Sequence, residues 1–287
     1  MKHLLAPILL LTLVFPSLAY GVTMDDLVKR DGIHYKKFSE VPFTGKVTGK
    51  KQGSLRNGKR VGPWVTYHDN GQVWGKGTYK DGKRDGPWVS YHDKGQLYSK
   101  GTYKNGKKHG PWVRYHDNGQ LDFKGTFKDD KKDGPWVSYH HNRQLDSKGT
   151  YKYSKGTYKD GKKDGSWVYY HDNGKLNYKI NYKDGRRDGP FLKYYVNGQL
   201  LSKGTYKDDK WDGPLVSYYN NGQLASKGTF KDGKTHGPSV RYYFNGQLSS
   251  KGTFKDGKKD GSWVSYNADR NVNEKLTGTY KNGAKVK

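Results

Sequence analysis

The sequence predicts an all-β fold: an elongated array of antiparallel β-hairpin repeats with a 24-residue period, joined in one continuous twisted sheet. Three observations predict it. Units of one pattern open at Gly62, Gly86, Gly110, Gly134, Gly165, Gly189, Gly213, Gly237 and Gly261, spaced by 24 residues except for the 31 between Gly134 and Gly165. Within the unit 86–109, residues 87–92 and 96–104 are rich in Val, Tyr, Trp and Thr, and turn residues at Asp93-Lys94-Gly95 and Asn105-Gly106 divide them. No copy spaces its apolar residues with a helical period, and a Gly or Pro every few positions would break a helix.

Taken in order, residues 1–21 have the charged start, short apolar run and small-residue exit of a secretory signal peptide, with cleavage expected after Ala19 or Gly21. The apolar run is about a dozen residues, where a membrane span takes ~20. No other stretch is long and apolar enough to span, so the mature chain is expected without a transmembrane segment. Residues 22–61 read as an N-terminal cap with a degenerate repeat: one helical turn near 23–28, then strands near 33–38 and 43–48. Nine hairpin repeats follow over 62–287. A near-duplication at 148–159, Lys148-Gly-Thr-Tyr-Lys then Lys155-Gly-Thr-Tyr-Lys, inserts seven residues that are expected to be extruded, because an odd insertion inside a strand exchanges its faces. Arg143 stands where other copies have a turn glycine, so this copy is expected to be the least stable. The last copy replaces its short turn with residues 267–273.

Register follows from asking apolar side chains to share a face. A three-residue loop at Asp69-Asn70-Gly71, with Gly71 left-handed, pairs His68 with Gln72, Tyr67 with Val73, Val65 with Gly75 and Pro63 with Gly77. A second three-residue turn, Asp81-Gly82-Lys83, then pairs Gly75 with Val89 and Lys76 with Trp88. Val65, Tyr67, Val73 and Tyr79 would form the core face, with Gly77, Gly101, Gly125 and Gly204 letting a ring lie flat. The opposite face would carry Trp64, Thr66, His68, Lys76 and Thr78.

The chain is 31% hydrophobic but 15% aromatic, which suits a thin core built copy by copy rather than one thick core. Lys and Arg number 54 against 27 acidic residues, a net charge of +27, which implies anionic partners or a charged surface that resists edge-to-edge pairing. The absence of cysteine excludes disulfides, thiolate metal sites and thiol nucleophiles.

The column His68, His92, His116, His140 and His171 invites a metal reading, but its members would lie about 9.6 Å apart, two strand spacings, and cannot share one ion. The Asp81-Gly82-Lys83-Arg84-Asp85-Gly86 stretch has Lys at a calcium-ligand position and reads as a turn. No phosphate-binding loop or nucleophile elbow occurs, and Ser, His and Asp recur identically in every copy. The expected protein is not an enzyme and needs no metal or cofactor. The candidate binding face is the Trp–Lys ladder Trp64, Lys76, Trp88, Lys100, Trp112, Lys124, Trp136 and Trp167, whose plainer reading is lysine stems packed on indoles. Because the Trp column gives way to Phe191, Leu215 and Ser239, residues 62–171 are expected to hold the contact surface for an anionic ligand.

The unit pattern GPWVSYHDNGQL, which residues 86–97 follow with one change, and KGTYKDGKKDG at 155–165 closely resemble the MORN-repeat variant family. The entry Asp26-Leu-Val-Lys-Arg-Asp-Gly, with Pro42-Phe-Thr-Gly45, resembles exported bacterial members labelled YwqK-type antitoxins. The resemblance covers nearly the whole mature chain. It implies MORN-like hairpins in an elongated sheet that act as scaffolds or binders of proteins and lipids, with no catalytic residues to carry over. The expected function is a non-enzymatic binding scaffold, exported to the periplasm or outside the cell, for a protein or an anionic envelope polymer or lipid head group. Nucleic acid ranks below these partners, and an antitoxin or immunity-type role against a partner toxin is the alternative.

Overall fold

The structure, a computed structural model, describes residues 21–139 and 152–286. Each copy contributes two strands, for example Lys83–Tyr91 and Leu97–Lys104. Among the described residues, twenty-two strands, from Gly45–Val47 to Ala284–Lys285, follow one another in chain order in one antiparallel sheet. The sheet is open, because no pairing among the described residues joins its first strand to its last. The residues expected to cap the array begin with a 3-10 turn at Met24–Asp26 and a small hairpin, Leu27–Arg30 with Ile33–Lys36. Leu27, Val47, Leu55 and Trp64 form its core, with Val22, Met24 and Phe43 packed on them. No helix among the described residues is long and apolar enough to cross a membrane.

Two turn types alternate. The Asp69-Asn70-Gly71 loop is as expected: Gly71 is left-handed at φ +82°, His68 N donates to Gln72 O at 2.7 Å, and Tyr67 faces Val73. The other turn is shorter than expected. Lys80 pairs with Lys83 across Asp81-Gly82 alone, with φ of +50° and +81°, a mirror-image two-residue turn that Asp or Asn followed by Gly adopts at low cost.

The expected register fails by one residue. Past the Tyr67–Val73 pair the ladder bulges at Trp74, so Thr66 faces Gly75, Val65 faces Lys76 and Trp64 faces Gly77. The next strand continues it, with Gly75 opposite Ser90, Lys76 opposite Val89 and Gly77 opposite Trp88. A slip of one residue exchanges the faces. Trp64, Gly77 and Trp88 therefore lie on one side and Val65, Lys76 and Val89 on the other. A second irregularity, between Gly77 and Tyr79, shifts the ladder by two and keeps the faces. There Gly86 is left-handed at φ +96° and the Thr78 hydroxyl donates to Asp85 O. Pro87 sits beside this gap, where a strand tolerates a residue without an N–H.

Of the two near-duplicate segments, the second supplies the strand: Lys152–Lys159 places Lys155 opposite Val137 and Gly156 opposite Trp136. Arg143, His140, residues 148–151 of the duplication and residues 1–20 of the expected signal peptide lie outside the described residues.

Candidate binding face

The inner face is aromatic. Trp64, Trp88, Trp112, Trp136 and Trp167 are only 1–4% exposed. Each indole lies on a glycine of the preceding strand: a Cβ at Gly77, Gly101 or Gly156 would meet a ring atom of Trp88, Trp112 or Trp167 at 2.2–2.3 Å. Most of these indoles satisfy their N–H on the backbone, as Trp112 Nε1 donating to Thr102 O at 3.1 Å and Trp167 Nε1 to Thr157 O at 3.0 Å. Tyr and Phe rings stand edge-on between them, giving an unbroken T-shaped ladder: Trp88–Tyr103 6.1 Å, Tyr103–Trp112 5.2 Å, Trp112–Phe127 6.1 Å and Phe127–Trp136 5.5 Å. Such pairs add roughly 0.5–1.5 kcal/mol each beyond area burial.

The alternation of cations and indoles is real, but it uses residues the sequence reading passed over. Arg84 stacks 4.1 Å from Trp88, Lys108 4.9 Å from Trp112, Lys132 4.2 Å from Trp136 and Lys163 4.7 Å from Trp167. Burial among the rings holds the Lys108, Lys132 and Lys163 amines below the ordinary lysine value, and burial pushes the Tyr158 and Tyr169 hydroxyls up. A signal for this row exists within the chain. A cation stands four residues before Trp64, Trp88, Trp112, Trp136, Trp167 and Trp263, and where the Trp column becomes Leu215 and Ser239 that place is taken by Trp211 and Thr235.

The candidate ladder of tryptophans and lysines on one exposed face is therefore not assembled. Its tryptophans are inside, while Lys76, Lys100 and Lys124 are exposed on the reverse side. Of the expected core residues, Val65, Tyr67 and Val73 belong with them, and Tyr79 lies inside between Trp64 and Trp88. On this outer face lysines and valines alternate across the whole sheet: Val65, Lys76, Val89, Lys100, Val113, Lys124, Val137, Lys155, Val168 and Lys179 are successive neighbours. The row runs on through Lys203, Lys227 and Lys251. Beside it runs a row of prolines and threonines, with Pro63 opposite Thr78 and Pro87 opposite Thr102. Between the two rows lies a cleft over the Trp–Gly column, with Trp88, Gly101 and Trp112 in its lining. It opens to about 320 Å³ at Pro87, Val89, Lys100, Thr102 and Val113, and to about 700 Å³ at the same place in a later copy, between Pro238, Val240, Lys251, Thr253 and Val264.

The histidine column is a brace between copies. His68, His92 and His171 each place Nε2 within 3.1–3.3 Å of a Tyr carbonyl of the following copy, and Tyr195, Tyr219 and Tyr243 donate their hydroxyls to the equivalent carbonyls at 2.7–2.9 Å. Either side chain reaches the same acceptor, which explains the change from His to Tyr along the chain.

These features define an open sheet of hairpin repeats, most of whose copies are held by an indole set on a glycine. The chain belongs to the MORN repeat variant family, which matches residues 60–81, 84–105, 108–129, 163–184, 187–208, 211–232 and 235–256; the related MORN repeat matches 100–111 and 251–262. Among the curated proteins nothing matches significantly. Solved structures with similarity include TcdB2-TccC3, 13% identical over 78% of this chain and 15% of that one, with a TM-score of 0.21. A TcdB2-TccC3-Cdc42 structure is 14% identical over 83% of this chain and 16% of that one, at 0.20. A Photorhabdus luminescens Tc holotoxin pore is 12% identical over 84% and 15%, at 0.20.

Proposed function

We propose that the protein is an exported, non-enzymatic binding scaffold whose partner is a protein or an anionic component of the cell envelope. The observation that carries this reading is the outer row of exposed lysines, held in register by the repeats and without a carboxylate partner among the described residues. The hydrogen-bonded sheet fixes the spacing of the backbone positions that carry these lysines, so the chain itself gives up little freedom on binding, and a net charge of +27 favours anions. The arrangement repeats one group many times instead of gathering a nucleophile, an acid and a base once. Export is supported by the character of residues 1–21.

Cell fractionation, followed by pull-down from envelope extract with the mature chain and its Lys76→Gln, Lys100→Gln, Lys124→Gln triple variant, tests this reading. The protein is expected in an exported fraction, retaining a specific partner that the triple variant releases. Confinement to the cytoplasm, or the same partners on both baits, would contradict it. Capture of one toxin whose activity the chain suppresses would instead identify an antitoxin or immunity protein.

A further inference from the structure

Resting on that reading, we infer that the outer face binds a linear acidic glycan, laid across the strands along the cleft between the Val–Lys and Pro–Thr rows. Three features select this class. First, the eight lysines Lys76, Lys100, Lys124, Lys155, Lys179, Lys203, Lys227 and Lys251 occupy every second strand of one row and are all exposed. At ~4.8 Å per strand their ammonium groups repeat every 9.6 Å or so and the row extends about 67 Å before twist. This is the length of one disaccharide, so a glycan with one acid on every second sugar meets the comb in step.

Second, the walls of the cleft suit sugars. Pro and Val side chains offer small apolar surfaces to a ring face, Thr side chains offer hydroxyls, and the cleft recurs at the same place in copies far apart in the chain. Third, rival polyanions lack what they need. Single-stranded nucleic acid is held by bases stacking on exposed aromatic planes, whereas the indoles of Trp64, Trp88, Trp112, Trp136 and Trp167 are buried on the reverse face and the rings on the lysine side, such as Tyr91 at 6.0 Å from the Lys76 amine, are half-buried. An anionic bilayer calls for large apolar tips beside the lysines. Of the large exposed apolar residues, Phe38, Val196 and Phe244 lie in loops and turns, and Trp74 and Tyr98 stand at the bulges, two residues before Lys76 and Lys100 and outside the Val–Lys row.

The experiment is calorimetric titration of the mature chain with hyaluronan oligosaccharides of increasing length, which carry one carboxylate per disaccharide. Affinity is expected to climb steeply with each added disaccharide and to fall with salt. The triple variant Lys76→Gln, Lys100→Gln, Lys124→Gln should bind at least tenfold more weakly. Its control is Lys80→Gln, Lys104→Gln, Lys128→Gln, which removes the same charge from exposed turn-side positions and should lose less than twofold. Both triples replace exposed residues, and a circular-dichroism melt matching the parent shows that they fold. Equal losses in the two triples, affinity that does not depend on oligosaccharide length, or tighter binding to phosphatidylglycerol vesicles or oligodeoxythymidine would each overturn the inference. If hyaluronan fails while the pull-down still yields a Lys-dependent protein partner, the glycan inference falls and the scaffold reading stands.

Discussion

Two stretches of the same sheet solve the same packing problem differently. Between Trp64 and Tyr182 the indoles of Trp64, Trp88, Trp112, Trp136 and Trp167 are each set on a glycine, each meet an edge-on ring and each carry a cation. Between Trp211 and Ser239 this arrangement lapses. Trp211 takes the cation's place and stacks on Tyr206 at 3.8 Å, Leu215 reaches over Gly204, and a Cβ added to Gly228 would meet only the small Ser239 at 3.5 Å. Yet Ser239 still pairs with Gly228 and Gly252, in the register that Trp88 keeps with Gly77 and Gly101. The difference teaches that turns and bulges set the register, while the rings supply packing energy on top of it.

The largest expected effect is at the ring itself. Trp112→Ser, which copies the residue at Ser239, removes a buried indole and should cost about 3–5 kcal/mol in its copy. Hydrogen exchange should show protection lost around residues 97–127 and kept around 224–254, since repeats couple mainly to their neighbours. Next come the paired glycines. Gly101→Ala forces a methyl against the Trp112 ring, 2.2 Å away, an overpacking that should cost roughly 1–3 kcal/mol. Gly228→Ala meets ordinary contact distance and should be neutral or stabilising by up to about 1 kcal/mol. Similar losses from the two would erase the distinction between the stretches.

Alkaline pH sharpens the comparison further. Lys108, Lys132 and Lys163 are depressed by burial, so in their titration range the unfolded chain binds more protons than the folded one and stability rises with pH. Tyr158 and Tyr169 are raised, so stability falls again once pH exceeds the ordinary tyrosine value of 10.0. In thermal melts, the stability of the parent relative to Lys132→Met is expected to rise as pH climbs towards 10.0, because the variant lacks one of the groups whose deprotonation favours the fold. Parallel curves would remove Lys132 from this role. The smallest effects belong to the brace: His92→Ala should cost about 1 kcal/mol, and His92→Tyr close to nothing, because Tyr195, Tyr219 and Tyr243 already make this bond.

Much of this was legible in the sequence, and the exception is instructive. The period, the strand pairs, the left-handed Gly71 and the deviating ends follow from turn chemistry, which is local and repeats in every copy. The faces did not follow, because Val65 and Trp64 are adjacent and both apolar, so alternation alone does not say which points inward. The bulge at Trp74 decides it. No residue type there announces a bulge, since the position is filled by Tyr98, Asp122, Asn177 and Leu201 in other copies. The expected Trp–Lys ladder inherited that error, joining tryptophans from one face to lysines from the other. The sign that would have corrected it was the shared fate of the Trp column and the cation four residues earlier.

The most direct test of the account is thiol labelling at adjacent positions on opposite faces. The chain has no cysteine, so Val89→Cys and Ser90→Cys each carry one thiol. Ser90 is 6% exposed on the ring side, opposite Gly75, whereas Val89 lies on the outer face opposite Lys76. Rapid modification of the Val89→Cys thiol and strong protection of the Ser90→Cys thiol are expected under native conditions. Protection at 89 with rapid modification at 90 would put the tryptophans outside and contradict this assignment of the faces.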